Sequence, residues 1–196
     1  MKANREHGIT SAVDARTYWQ RGYLKAYEKA DGAAQLTTRM SLSLWASPLA
    51  DDDAQLAQLA KLRADHSAFL RANMVKVYDD GLLDNTTAAL LSPYVGKTLV
   101  PGNTGLNYFI QARLQKYVAE LQQVGFRLHV HAISDRAVHE ALNAIETAAT
   151  SKHGHGHRLT HVEMIQPSNI VRFAALGVAA AEAAKKRRGC GVVVGL

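Results

Sequence analysis

Three short stretches carry side chains able to do chemistry at a spacing that is hard to ignore. VKVYDDG (75–81) holds Lys76, LHVHAISDRA (128–137) sets His129 and His131 one residue apart, and LTHVEM (159–164) holds His161. Imidazoles are the commonest metal ligands. A lysine joins them when its amine becomes a carbamate, an oxygen donor like a carboxylate. Each residue also has an ordinary reading. A single strand histidine is more often hydrogen-bonded core than ligand, and a lone lysine can snorkel its ammonium to a barrel mouth. Asp135 directly precedes RAVHEALNAIE and reads as a helix N-cap. The KHGHGH segment (152–157) has the glycine spacing of a flexible surface loop, so His153, His155 and His157 are not assigned as ligands. What lifts Lys76, His131 and His161 above that background is their position on consecutive strand-like runs.

Alternation along those runs says which side chains share a face. Val75 and Val77 fall on one side, Lys76 and Tyr78 on the other. Leu128, Val130 and Ala132 oppose His129, His131 and Ile133, while Thr160 and Val162 oppose Leu159, His161 and Glu163. An ionisable residue opposite an apolar, helix-facing row is costly unless it has a partner. His131 also lies at the C-terminal end of its run, where barrel enzymes keep their chemistry.

The elements that must hold these residues alternate. Strands are expected at 8–15, 38–45, 74–81, 126–133, 158–164 and 177–181. Helices are expected at 17–36, at 51–72 behind capping aspartates, and at 105–124, 135–150 and 167–176. Six strands separated by helices of crossover length define an α/β protein with a parallel sheet, a barrel or a doubly wound fold, its strands lying in sequence order. GITSAVDAR lacks the GxGxxG spacing of a dinucleotide-binding turn.

The 196 residues are 47% hydrophobic and 20% charged, the composition of a globular domain. Much of the +6 charge sits in Lys185, Lys186, Arg187 and Arg188, without the interleaved aromatics of a nucleic-acid surface, so no nucleic-acid partner is expected. The single cysteine, Cys190, excludes an internal disulfide. The opening MKANREHG has no signal-peptide run, and no window nears the roughly 18 apolar residues of a membrane span, so a cytoplasmic chain without membrane contact is expected.

At VKVYDDGLLDNTTAALLSPY (75–94), LHVHAISDRAVHEALNAIE (128–146) and HRLTHVEMIQPSNIVRFAALGVAA (157–180) the chain resembles the YtcJ-like branch of the amidohydrolase superfamily, the family 3 amidohydrolases. The likeness spans about residues 5–180 and is most specific at HAISDRA. It implies a (β/α)8 TIM barrel that hydrolyses amide or related C–N bonds of small molecules with a divalent metal, Zn2+ being the expected ion. Lys76 matches the family's strand-four lysine, commonly carboxylated; His131 matches the strand-five ligand and His161 the strand-six ligand. Departures are specific. The family's HxH on strand one and its strand-eight aspartate, the general base, have no counterpart. Ser134 stands at a usual glycine and Thr160 at a frequent glutamate.

A complete barrel takes about 250 residues. The expectation is therefore a partial (β/α)8 TIM barrel of about six βα units, lacking strands one and eight, over residues 1–181, followed by a basic, disordered tail at 182–196. Activity is expected to be weak or absent. The alternative is a non-catalytic remnant that self-associates through open sheet edges.

Overall fold

The computed structural model describes residues 2–96, 99–148 and 156–181. Its frame is a sheet of strands β1 (Ser11–Thr17), β2 (Arg39–Trp45), β3 (Ala64–Asp65), β4 (Leu70–Tyr78), β5 (Arg127–Ala132), β6 (Arg158–His161) and β7 (Ala179–Ala181). The path runs β1-β2-β4-β5-β6-β7, every step parallel, with the two-residue β3 pairing antiparallel on β4. The six expected strands thus lie parallel and in sequence order, as a half-barrel. The basic tail falls outside the described residues.

The helices are α1 (Lys2–Glu6), α2 (Tyr23–Gly32), α3 (Asp52–Leu62), α4 (Gln111–Gln123), α5 (Asp135–Ala148) and α6 (Pro167–Ala175), with a single 3-10 turn at Trp19–Arg21. Helix α4 buries Leu114, Tyr117, Val118 and Leu121, spaced as one helical stripe, and α5 buries Ala137, Val138, Ala141, Leu142, Ala144 and Ile145. They pack on a fully buried strand face made by Leu42, Leu44, Val75, Val77, Leu128, Val130 and Leu159. One sheet face is therefore a dry, helix-covered core. The other is concave and carries the polar residues.

Several expected boundaries move, for local reasons. The helix expected over 51–72 stops at Leu62, because Arg63 turns extended and Ala64–Asp65 pairs with Arg71–Ala72. The turn between is closed by the Ser67 hydroxyl, which accepts from the N–H groups of Phe69 and Leu70 and donates to Asp31. Polar turn residues compete with the helix there. The helix expected over 17–36 is broken at Gly22, which is left-handed. The five-residue α1 was not anticipated.

The helix expected from residue 105 starts at Gln111, because Gly105 sits at φ +79 under the Ala88 carbonyl. A Cβ there would meet Ala88 O at 1.9 Å, whereas at Gly102, φ +72, it would meet nothing within 4 Å. Gly102→Ala is therefore expected to cost only the left-handed backbone term, about 1–2 kcal/mol. Gly105→Ala is expected to cost clearly more, since backbone must move as well. Urea unfolding of both variants checks the order; equal losses would place the Gly105 contact wrongly.

Candidate functional site

Register places the concave residues in rows. Lys76 is level with His129, and His129 with Arg158, on β4, β5 and β6. One row toward the C-terminal ends, Tyr78 is level with His131 and His131 with Thr160. Lys76 leans up from its row, and its Nζ donates to Thr160 Oγ1 at 3.1 Å. Thr160 in turn donates to Val130 O. The threonine thus gives the lysine a neutral acceptor at the position where a glutamate would have given it a charge. A cavity of about 880 Å³ opens over this face, lined among others by Lys76, Tyr78, His129, Thr160 and His161.

His161 reaches this group against simple alternation. It is level with Ala132, whose neighbours in the register face the helices, and Leu159 on the same expected face lies in the dry core. The backbone turns left-handed at His161 (φ +81) and Val162 (φ +43), and the imidazole swings to the concave side. Its ring centroid lies 4.5 Å from that of His131. A β-branched residue at positive φ is an outlier. It is held by Val162 N–H on Ala132 O and Met164 N–H on Ile133 O. Such strain, of order 1–3 kcal/mol per residue, is characteristic of functional sites. The grouping of His161 with Leu159 is corrected by this turn.

Behind His131 stands a buried carboxylate that alternation did not single out. Asp80 accepts from Ala89 N–H (3.1 Å), Ile133 N–H (3.0 Å), Ser134 N–H (3.2 Å) and Ser134 Oγ (2.7 Å). The adjoining Gly81 carbonyl faces His131 Nε2 at 3.0 Å. A carbonyl only accepts, so Nε2 carries the proton and Nδ1 keeps the free lone pair. The paired aspartates after β4 were the available signal in the sequence, read only as the end of a strand.

Two other expectations change. Asp135 is the first residue of α5, not its N-cap; its Oδ1 accepts from Arg136 N–H and from Leu91 N–H, tying Leu91 to the start of the helix. His157 does not lie on a surface loop. It is fully buried, Nδ1 accepting from Leu128 N–H and Nε2 facing the Gln122 amide at 2.8 Å, while His153 and His155 fall outside the described residues.

Burial sets the protonation states. It draws Lys76 down to about 7, with Arg16 adding repulsion. It lowers His129 to about 2, helped by Lys76, Arg158 and His161, and His131 to about 4 despite the Gly81 carbonyl. His161 falls to about 4 through burial, then His131 and Lys76. All three imidazoles are thus neutral at pH 7. Asp79, fully buried and with both oxygens unpartnered among the described residues, is pushed well up by burial, then by Asp80 and Glu140.

Fold and register together define an α/β half-barrel whose concave face gathers neutral imidazoles and a lysine of lowered basicity at the strand ends. The sequence matches the Amidohydrolase family over residues 1–184, and the chain belongs to that family. It is similar to "Putative amidohydrolase YtcJ" of Bacillus subtilis (strain 168), 30% identical over 156 residues, covering 80% of this chain and 27% of the relative. It is also similar to "Exoenzymes regulatory protein AepA" of Pectobacterium carotovorum subsp. carotovorum, 26% identical, covering 82% of this chain and 29% of the relative. Among solved structures, an uncharacterized metal-dependent hydrolase from Pyrococcus furiosus aligns with TM-score 0.69 at 24% identity, over 87% of this chain and 33% of that one. The chain spans under a third of the length of these curated relatives. No helix among the described residues is long and apolar enough to cross a membrane.

The depressed histidines predict an acid-labile fold. Unfolded histidine titrates near 6.5, so as pH falls below that value the unfolded chain takes up protons that folded His129 and His131 refuse, and stability is lost until their folded values are passed. Raised Asp79 works in the opposite sense, since the folded chain keeps a proton there and gains stability as pH falls. His131→Gln isolates one histidine. Between pH 6.5 and 5.0 its stability should fall by about 1.5 kcal/mol less than that of the parent, the slope rising toward 1.36 kcal/mol per pH unit as the unfolded imidazole becomes fully protonated. Identical slopes in urea unfolding at the two pH values would contradict a neutral buried His131.

Proposed function

We propose that this chain contributes part of the site of a metal-dependent hydrolase acting on carbon–nitrogen bonds of small, non-peptide amides. The observation that carries the reading is the meeting of His131 and His161, 4.5 Å apart by ring centroids, at the C-terminal ends of neighbouring strands. Family membership supplies the hydrolase frame.

The donor set fits a divalent ion, with zinc as the proposed metal. His131 has its Nε2 proton on Gly81 O, the arrangement that orients a metal-binding imidazole and frees Nδ1. His161 makes no side-chain hydrogen bond among the described residues, so its lone pair is available. Among the described residues no three His, Cys, Asp or Glu side chains cluster as a metal site. The third ligand is therefore Lys76, whose amine at about 7 is substantially neutral and open to carboxylation. When bound, the ion supplies Lewis acidity at the amide carbonyl and a water of lowered pKa. Lys76, His131 and His161 hold it; Thr160 positions the lysine, and Gly81 the histidine. Tyr78 stacks beside His131, centroids 4.9 Å apart, and shields its ring from water.

No aspartate or glutamate lines the cavity among the described residues, so no carboxylate stands there to act as general base. General-base help is commonly worth about 100- to 10,000-fold. The isolated chain is expected to bind at most one zinc ion per molecule and to turn over simple amides below detection. His161→Gly should lower zinc affinity at least about tenfold, the scale of losing even an outer-shell partner. Yet it should leave urea stability unchanged or raised, because glycine relieves the backbone at φ +81. A carbamate carbon from 13C-bicarbonate should be seen by NMR and vanish in Lys76→Ala. Zinc binding indifferent to both substitutions would remove the reading.

A second reading rests on the sheet ends. β1 and β7 each pair on one side only among the described residues, and open edges recruit strands. On this reading the chain is a non-catalytic association module. Sedimentation would then give a concentration-dependent dimer, lost on Val13→Pro in β1 and indifferent to zinc.

A further inference from the structure

Four arginines, Arg16, Arg39, Arg71 and Arg158, line the concave cavity together with Lys76. No carboxylate among the described residues accompanies them, and none of the five joins an ion pair there. Their partners are neutral. Arg39 Nε donates to Ser11 Oγ, Lys76 Nζ to Thr160 Oγ1, and Arg16 lies over the rings of Tyr18 and Tyr78. Elsewhere three arginines are matched with acids, Arg113 to Asp52, Arg172 to Glu146 and Arg63 to Asp65.

At the floor, His129 is only 3% exposed. Ser43 Oγ lies 2.9 Å from its Nδ1, and its Nε2 has no partner among the described residues; the buried Nε of Arg158, in the same row, has none either. A serine hydroxyl can donate to Nδ1, which leaves Nε2 as an N–H donor while the ring stays neutral. Buried donors left unmatched among like charges are costly unless an acceptor fills the space. A second copy of this chain does not, because its own concave face brings the same sign of charge. The volume is that of a small-molecule site.

We propose that the floor of this cavity binds a small multivalent oxyanion, of phosphate or polycarboxylate chemistry, held by Arg71, Arg158 and the Nε2–H of His129. The site lies below the His131–His161 pair and needs no metal, so it stands or falls apart from the zinc reading. If both hold, the amide substrate carries an anionic group remote from its scissile bond.

The test is calorimetric titration of the full chain in excess chelator with inorganic pyrophosphate and with citrate, beside neutral succinamide. Pyrophosphate, citrate or both should bind saturably at one site per chain, and succinamide should not. Which anion binds more tightly separates the two chemistries. Arg71→Met, at an exposed position, and Arg158→Met should each weaken binding about tenfold or more, the scale of one charge-assisted hydrogen bond. Lys61→Met removes the same charge from the exposed outer side of α3 and should leave affinity within about twofold, since distant exposed charges are screened. Should Arg158→Met fail to fold by circular dichroism, Arg158→Lys, which keeps the charge, should retain most of the affinity, and Arg71→Met still decides. Absence of saturable binding by either anion, or an equal loss in Arg71→Met and Lys61→Met, overturns the proposal.

Discussion

Asp80 accepts four hydrogen bonds in a place closed to water, and the concave site is assembled around it. The carboxylate sits just beyond the end of β4. It gathers the end of β5 through Ile133 and Ser134, and the long loop after β4 through Ala89. Hydrogen bonds to a charged acceptor are worth about 1.5–3 kcal/mol each, against a desolvation cost of several kcal/mol for a buried ion. The two effects are comparable, which is why burial still leaves the carboxyl above its ordinary value while each of the four bonds draws it down. Ser134 becomes intelligible here. Where the resemblance leads one to expect glycine, its hydroxyl donates to Asp80 beside the Ala89 carbonyl and adds a tie at the entrance to α5.

That hub positions the first imidazole, and backbone strain positions the second. His131 is aimed by regular strand geometry and by the Gly81 carbonyl next to Asp80, so its direction follows from the sheet. His161 is aimed by leaving the sheet. At φ +81 and +43 the chain abandons alternation just as β6 ends, and two hydrogen bonds to the end of β5 hold the turn. Both imidazoles thus depend on the β4–β5–β6 junction, not on the periphery of the half-barrel.

Period-2 alternation made the helix-facing rows of β4 and β5 legible, since Val75, Val77, Leu128 and Val130 all lie in the core, whereas on β6 it put Leu159 on the wrong face. The parallel order followed from strands separated by helices, and Lys76 and His131 were legible as concave for the same reason. His161 entered the candidates as the imidazole on the third consecutive strand-like run; alternation alone groups it with Leu159, and only the left-handed turn separates them. Helix ends were the weakest reading. Apolar periodicity runs on past Leu62, but Ser67 and the two-residue β3 win locally by satisfying backbone groups that a helix would satisfy another way. His157 was misread because glycine-rich flanks say nothing of a backbone N–H, that of Leu128, which needs an acceptor.

The same burial that makes the site reactive makes it expensive. An exposed lysine would stay an ammonium at pH 7, unable to take up carbon dioxide, and exposed histidines would be partly protonated and poor ligands. Packing Lys76 under Thr160 and against Tyr78 removes solvent from the amine, and the guanidinium of Arg16 disfavours its proton further. The cations around it therefore act twice: they hold Lys76 and His129 neutral, and they leave the concave face short of negative charge. A carboxylated Lys76 would relieve part of that imbalance, because it exchanges a latent positive charge for a negative one amid the four arginines that share the cavity. On the proposed reading, the charge around Lys76 would thus favour the carboxylated lysine over the free amine.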